Sequence, residues 1–457
     1  MNRRHFILWL GSVGLATAAG ALFGQGRASQ AATLSLPTAP RSRRPPAQPT
    51  EPQAPLALVY DRDYLLYEGP RVGTVGETPT RLQAIVERLT QVGVKVETHP
   101  VEEATLEQLK RAHAPRYIQY IRKAAYLPQD EVALIRRVER RLVSRPVGVG
   151  ALASPSPETQ APSVAPSPRF EHVVRYVKAP ADAPRLSRIA PFKAAALGAG
   201  GAVRAVDEVM KGRARAGFAL IRPPGHHARR ARNMGFCIFN NAAVAARHAQ
   251  QTYDARRVLI VDWDVHHGNG TQEIFYNDPT VLYFSTHQEG IYPKRTGRIG
   301  EVGAGRGTGY NVNVPLPPGT NDEGFLQTYR ELLVPIARAF KPDLIIVSAG
   351  QDAHQDDFVA RMRMTERGFA RLTQLVQGLA AELCENRLVL VLEGGYNPRS
   401  AARSVESICR VLQGPLPPEL ELAPAGRLPA GLAARIAAVK SAHLGHWPAL
   451  ARSGHGA

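Results

Sequence analysis

Four apolar runs in this chain each end on a cluster of ionisable or hydroxyl-bearing side chains, and that arrangement constrains the fold more than any other feature. FALI runs into RPPGHHA, which carries His226 and His227. VLIVD from Val258 runs into DWDVHHGNG, with Asp262, Asp264, His266 and His267. LIIVSA from Leu344 ends in GQDAHQDD, with Asp352 and His354, and LVLVLE from Leu388 ends in GGYNP, with Tyr396. Short runs rich in Val, Ile and Leu that alternate with helical periodicity predict buried parallel strands covered by helices. LALVY from Leu56 and TVLYFS from Thr280 add two more strands. Helices are expected from Pro79 to Gln91, Pro191 to Lys211, Asn240 to Gln251, Asp322 to Phe340, Thr365 to Cys384 and Pro398 to Leu412. The fold class is therefore α/β, with a mainly parallel central sheet and helices on both faces. Ligands of such sheets bind beyond the carboxyl ends of the strands. Four strands thus deliver His, Asp and Tyr to one rim.

The residue types at that rim define its chemistry. In extended chain, residues i and i+2 point the same way, so Asp264 and His266 face one ion together, with Asp352 arriving from a neighbouring strand end. Two carboxylates and one imidazole leave a coordination position open, as catalytic zinc requires, and the mixed donors also accommodate iron(II). An ion held there polarises a carbonyl and acidifies a bound water. A histidine suits removal of that water's proton near neutral pH. Tyr396, protonated at pH 7, can donate to a developing oxyanion. Taken singly, each residue has an ordinary explanation: Asp352 as a helix cap, Asp262 as an acceptor for backbone amides, Tyr396 as a packed aromatic. Their coincidence at four strand ends has none.

The remaining chain supplies context. Arg3 and Arg4 precede Phe6–Gly24, a stretch without Asp, Glu, Lys or Arg, and Ser29-Gln30-Ala31 fits a small-x-small cleavage site. Residues 1–31 therefore read as a twin-arginine-type export signal, with a retained anchor as the competing reading. Once the signal is removed, no stable membrane span is expected, and the compartment is periplasmic or otherwise outside the cytoplasm. Residues 32–55 read as a Pro/Ala-rich disordered tether, 56–415 as the catalytic domain, about 145–168 as a Pro/Ala/Ser-rich insertion within it, and 416–457 as a C-terminal extension. The net charge of +18 is scattered. No binding-fold signature accompanies it, so it reads as a solvated basic surface rather than a specific nucleic-acid site. The three cysteines, Cys237, Cys384 and Cys409, have no paired spacing and exclude a disulfide framework. Association into oligomers stays open.

Several segments resemble the histone deacetylase family, which includes acetylpolyamine amidohydrolases and bacterial deacetylase-like enzymes. They are RPPGHHA at Arg222, MGFCIFNNAAVAA at Met234, VLIVDWDVHHGNGTQEIFY at Val258, FSTHQEGIYP at Phe284, GYNVNVPLPPGT at Gly309, LIIVSAGQDAHQDD at Leu344 and LEGGYN at Leu392. With RAHAPRYIQYI at Arg111, the similarity spans about Leu56 to Leu412. Asn269 after HHG, together with STHQ and EGGYN, resembles the class II side. The resemblance implies an arginase/deacetylase-like fold and removal of an acyl group, acetyl above all, from acetyl-lysine or a small acetylated amine. By motif position it implies that Asp264, His266 and Asp352 ligate zinc. It makes His226 and His227 the tandem pair, with His227 as general base and acid and His226 oriented by Asp262. Tyr396 would polarise the carbonyl, and Gly235, Phe236 and Gly395 would contact substrate. Asp262, Asp264, His266 and Ser285 match the family's potassium site.

The substrate rim departs from the family pattern. Where members often read Pro-Gly-Thr-Gly, this chain has Pro293-Lys294-Arg295-Thr296-Gly297. The rim acid of many members has Asp182 as its nearest candidate, and the position of the glutamate gatekeeper of polyamine-preferring members holds Val359. Two rivals remain. A binuclear manganese ureohydrolase would need a second carboxylate two residues from Asp352, where Gly350 and His354 stand. A non-catalytic binder of acylated ligands would need neither Tyr396 nor the tandem histidines. The sequence does not name the acyl acceptor. An exported enzyme fits cell-wall-derived amides, exported proteins or small acetylated amines better than histone-like substrates.

Overall fold

The apolar runs become strands in the computed structural model, which describes residues 55–69, 71–72, 75–94, 101–123, 189–414 and 428–452. The expected export signal, the tether up to residue 54, the insertion at 145–168 and Asp182 lie outside these residues. In chain order the strands are β1 (Leu56–Val59), β2 (Arg71–Val72), β3 (Val75–Gly76), β4 (Ala216–Ala219), β5 (Val258–Asp262), β6 (Val281–Gln288), β7 (Asn311–Leu316), β8 (Leu344–Ala349) and β9 (Leu388–Leu392). β2 and β3 pair antiparallel by themselves. The other seven form one sheet in the order β1-β4-β9-β8-β5-β6-β7, and every neighbouring pair is parallel. Every residue of β5, β6, β8 and β9 is buried, which is why these runs carry no polar alternation.

From β5 the chain winds outward through β6 and β7, then returns to place β8 and β9 on the opposite side of β5. The winding therefore reverses between β5 and β8, where Asp262 lies opposite Ser348. Such a reversal opens a crevice at the carboxyl ends of the two strands, because their outgoing connections leave over opposite sides. The arrangement is the arginase/deacetylase-like α/β fold.

Each expected helix forms, one of them in two pieces, and the described residues add the helices Leu106–Lys110, Pro115–Lys123 and Asn269–Phe275, which were not expected. The expected helix from Asp322 to Phe340 is two helices, Asp322–Thr328 and Val334–Phe340, joined by a π turn at Tyr329–Leu333. Pro335 lacks the N–H needed to continue a regular ladder, and a wider turn absorbs the mismatch. β7 is a strand outside the expected set, and it includes Pro315. A proline is tolerated there because β7 is an edge strand with only β6 as partner.

Part of the C-terminal extension belongs to the main core. The helix Leu432–His443 packs against β7 and buries Leu432, Ile436 and Val439, followed by Trp447 and Leu450. Trp447 donates from Nε1 to the Gly309 carbonyl at 2.8 Å. Its ring meets Tyr310 edge-on at 5.4 Å. Among the described residues no helix is long and apolar enough to cross a membrane. Trp447→Ala should therefore cost about 3–5 kcal/mol, the usual loss for emptying a buried aromatic site. Urea unfolding would show this as a lower midpoint with an unchanged slope.

Candidate active site

The reversal between β5 and β8 brings three of the expected residues together. Asp264 and His266 follow β5, and Asp352 follows β8. His266 Nδ1 lies 3.0 Å from Asp264 Oδ1 and 3.1 Å from Asp352 Oδ2. One ligand atom from each residue lies within 4.8 Å of the other two. Both carboxylates are fully buried, and Asp352 Oδ2 has no hydrogen-bond partner. Leaving a buried carboxylate oxygen unsatisfied is costly, and a bound cation removes that cost. The donor set, two carboxylates and one imidazole, suits a divalent ion of the zinc class. Gly394 completes the cradle. Its N–H donates to Asp264 Oδ2 at 2.8 Å, and a Cβ there would stand 2.2 Å from Asp352 Oδ2.

Charge is partitioned steeply across this cluster. Burial opposes ionisation of Asp264, but the His226 and His266 imidazoles outweigh it and hold the carboxyl well below its usual range. Burial and the adjacent Asp264 charge push Asp352 up.

The tandem histidines arrive on the loop after β4. The Glu393 carboxylate at the end of β9 shapes that loop by accepting the Gly225 N–H at 2.6 Å and the His226 N–H at 3.1 Å. His226 Nδ1 pairs with Asp262 Oδ2 at 3.1 Å, while His227 Nδ1 lies 2.9 Å from Asn269 Oδ1. The two rings are 4.1 Å apart yet titrate in opposite directions. Burial pulls both down. In His226 the Asp264, Asp262 and Glu393 charges overcome burial and raise it well above the usual imidazole value. In His227 burial prevails, reinforced by the neighbouring His226 and His266 imidazoles, and holds it well below the usual value. Paired groups driven apart in this way are suited to separate acid and base duties.

Tyr396 stands on the opposite flank, at the end of β9. Asn397 caps the following helix, Pro398–Gln413, by accepting the Arg399 and Ser400 amides, and Pro398 occupies its first turn. Asp357 accepts the amides of Tyr396 and Asn397 at 2.6 and 2.9 Å. Arg81 lies over the Tyr396 ring at 4.8 Å and donates to the carbonyls of Glu393 and Gly395. Burial pushes the Tyr396 hydroxyl well above its ordinary value, which keeps it a donor.

Gly235 and Phe236 adjoin these groups. A Cβ on Gly235 would reach within 2.2 Å of the His227 ring. Phe236 has a left-handed φ of 67°, a conformation that costs on the order of 1 kcal/mol or more for an aromatic residue. The mutual backbone bonds of Met234 and Cys237 hold it there. The Phe236 ring lies 5.7 Å from Tyr396, and the Tyr292 ring lies edge-on to His227 at 5.0 Å. Together they give the site apolar walls.

Other expected residues lie nearby in different company. Asp262 is buried beside β6 and also accepts from the Tyr283 hydroxyl at 2.9 Å. Ser285 lies opposite Asp262 in register, with its Oγ 3.0 Å from His287 Nδ1. Gly395, with φ 119°, packs against Gln351. His267 is spent on Thr296 and Gln272. His354 is directed at Glu366, at 3.4 Å, so it supplies nothing to a second ion beside Asp352.

Sequence reasoning missed Tyr292, Asp357 and Arg81. Arg81 left a trace, because it lies four residues before Ile85 on the stripe of the helix Pro79–Gln91 that buries Leu82, Ile85 and Leu89. A cation on an apolar stripe signals a buried partner.

The family model of the histone deacetylase domain matches residues 75–412. This chain belongs to that family. Its described fold superimposes on the HDA15 HD domain with a TM-score of 0.67 at 33% identity, covering 88% of this chain and 97% of that one. It is similar to a probable deacetylase of Archaeoglobus fulgidus, 47% identical over 211 residues, which is 46% of this chain and 58% of the relative. It is 46% identical to histone deacetylase 14, chloroplastic, of Arabidopsis thaliana over 228 residues, 49% of this chain and 54% of the relative. The human polyamine deacetylase HDAC10 is 36% identical over 374 residues, 79% of this chain and 49% of the relative. The chain thus spans about half the length of the curated relatives it matches.

In this family member Gly394→Ala places a methyl group against two candidate ligands while leaving them in the chain. Divalent-metal affinity should fall roughly 10–100-fold, as for other disturbed supports of metal ligands. Chelator competition on purified protein measures it, and circular dichroism should show a retained fold.

Proposed function

We propose that this chain is a metal-dependent amidohydrolase that removes an acyl group, acetyl in the first instance, from an amine. The observation that carries the reading is the convergence of the Asp264–His266–Asp352 triad, neutral His227 and protonated Tyr396 on one crevice with apolar walls. Asp264, His266 and Asp352 would hold the ion, zinc or iron(II) by donor type. When bound, such an ion supplies Lewis acidity toward the acyl carbonyl and lowers the pKa of water.

The chain's own residues do the rest. His227, neutral and oriented through Nδ1 by Asn269, takes the proton of the attacking water and returns one to the leaving amine. His226, held by Asp262, keeps positive charge beside the developing oxyanion. Tyr396 donates its hydroxyl proton in a hydrogen bond to that oxyanion, from a position fixed by Asp357, Arg81 and the Asn397 cap. Phe236 and Tyr292 confine the acyl-bearing arm and limit water. Asp262, Asp264, His266 and Ser285 are the proposed potassium site.

Tyr396→Phe removes the oxyanion donor and keeps the ring. Its kcat on an acetyl-lysine peptide should drop roughly a hundred- to a thousand-fold, the cost typical of losing one such donor. Metal content should remain near one ion per chain by elemental analysis. Near-full activity in this variant would refute the role, and two tightly bound manganese ions per chain would favour the ureohydrolase alternative.

We also propose twin-arginine export to the periplasm, on the strength of Arg3, Arg4 and the uncharged stretch Phe6–Gly24. Replacing both arginines with lysine should leave folded, metal-loaded protein in the cytoplasm. Cell fractionation reads the outcome, and undiminished periplasmic accumulation would sink the idea.

A further inference from the structure

Three loops adjoin the walls of the crevice, and their charges are unequally committed. The loop from His227 to Phe236 exposes Arg230 and Arg232. The loop after Tyr292 exposes Lys294 and Arg295, where the sequence departs from the family pattern. The loop that carries Asp357, the acceptor of the Tyr396 amide, exposes Arg361. Among the described residues, none of these five cations forms an ion pair.

The neighbouring carboxylates are already engaged. Glu273 pairs with Arg229, Glu289 with Arg435 at 2.6 Å, and Asp356 with Arg403 at 2.9 Å. Asp357 and Glu301 accept only from neutral donors, two backbone amides for Asp357 and Gln272 with Gly297 for Glu301, so they keep their negative charge, which the five cations outnumber. Val359 adds no negative charge. Among the described residues the mouth therefore combines an excess of positive charge with exposed apolar surface, Tyr292 at 42% and Phe358 at 55%.

Charges of one sign around a low-dielectric cleft focus the field into it and draw in ligands of the opposite sign. We propose that this mouth selects acylated amines with carboxylates beside the scissile amide and disfavours polycationic ones. The inference rests on the amidohydrolase reading above. It sets this chain apart from the human relative named a polyamine deacetylase. The five side chains are specificity determinants; none is assigned a part in bond breaking.

The test uses the metal-loaded full chain and acetyl-lysine peptides of equal length, flanked by two aspartates, two serines or two lysines, together with an acetylated polyamine. At low ionic strength, kcat/KM should fall in the order acidic, neutral, basic, with a spread of about tenfold or more, and the spread should shrink as salt screens it. In the combined variant Arg232→Glu, Lys294→Glu, Arg295→Glu, the acidic-to-neutral ratio should fall to one or below. Equal rates, a basic or polyamine substrate preferred by the unaltered protein, or an acidic preference that survives the charge reversal would each overturn the proposal. Calorimetry with hydroxamates bearing a carboxylate or an ammonium arm reads the same selectivity without turnover. Tighter binding of the carboxylate form with no hydrolysis of any amide would sink the amidohydrolase reading and keep the charge selectivity. Hydrolysis without charge discrimination would do the reverse.

Discussion

Asp262, Asp264 and Asp352 are withdrawn from water at the carboxyl end of one sheet, and the rest of the site is arranged around that burial. An isolated carboxylate in a protein interior would take up a proton rather than remain charged. Here the compensation is local. His226 spans Asp262 and Asp264, His266 sits between Asp264 and Asp352, and the amides of Val265, His266 and Gly394 each point at a carboxylate oxygen. Asp352 Oδ2 meets only the His266 imidazole, at 3.1 Å, and accepts no hydrogen bond. A cation between these carboxylates would fit the donor set, and the geometry of the cluster depends on all the strands that contribute to it.

That dependence explains why the surrounding framework is itself polar and buried. Glu393 ties the β4 loop to β9 by accepting two amides, while the Ser348 hydroxyl donates to its other oxygen at 3.2 Å. Burial pushes Glu393 up to about 7. Further out, Arg222 is fully enclosed, forked onto Glu77 and donating to the carbonyls of Tyr64 and Tyr67. Arg81 extends from the same Glu77 to the backbone under Tyr396. Removing one partner from such a network strands a buried charge, which costs far more than the pair contributes to stability. The network fixes the relative positions of His227 and Tyr396, which approach the crevice from different strands. Apolar packing alone would leave those positions softer.

The site also separates chemistry from selection. In the proposed reaction, proton transfer and oxyanion stabilisation would rest on side chains at strand ends, locked by caps and buried carboxylates. Contact with the amine's surroundings would fall to loops that carry exposed Arg, Lys, Tyr and Phe side chains. Loops can change there without disturbing the buried cluster.

How much was legible in advance follows the range of the interactions involved. Strands such as Val258–Asp262 and Leu388–Leu392 were readable because each is a continuous apolar run of the right length. The triad was readable because Asp264 and His266 alternate on one extended segment, and because motif order carries Asp352 and Tyr396 with it. β7 was hidden, since whether Pro315 is tolerable depends on the strand being at an edge, a property of strand order. The π turn at Tyr329–Leu333 was hidden because the apolar periodicity runs through it. Arg81, Asp357 and Tyr292 were missed because each acts on a residue distant in the chain.

The sequence by itself determined the fold class and the identity of the side chains at the rim, because periodicity and residue chemistry are local properties. Only the tertiary structure decided that β8 lies beside β5, and hence that Asp352 faces His266 at 3.1 Å. It alone decided that His226 is raised and His227 lowered, since carboxylates overcome burial at the first ring while burial prevails at the second. It alone left Arg230, Arg232, Lys294, Arg295 and Arg361 without acidic partners among the described residues while pairing Arg229, Arg403 and Arg435. Pairing is a matter of distance in space, which composition does not encode.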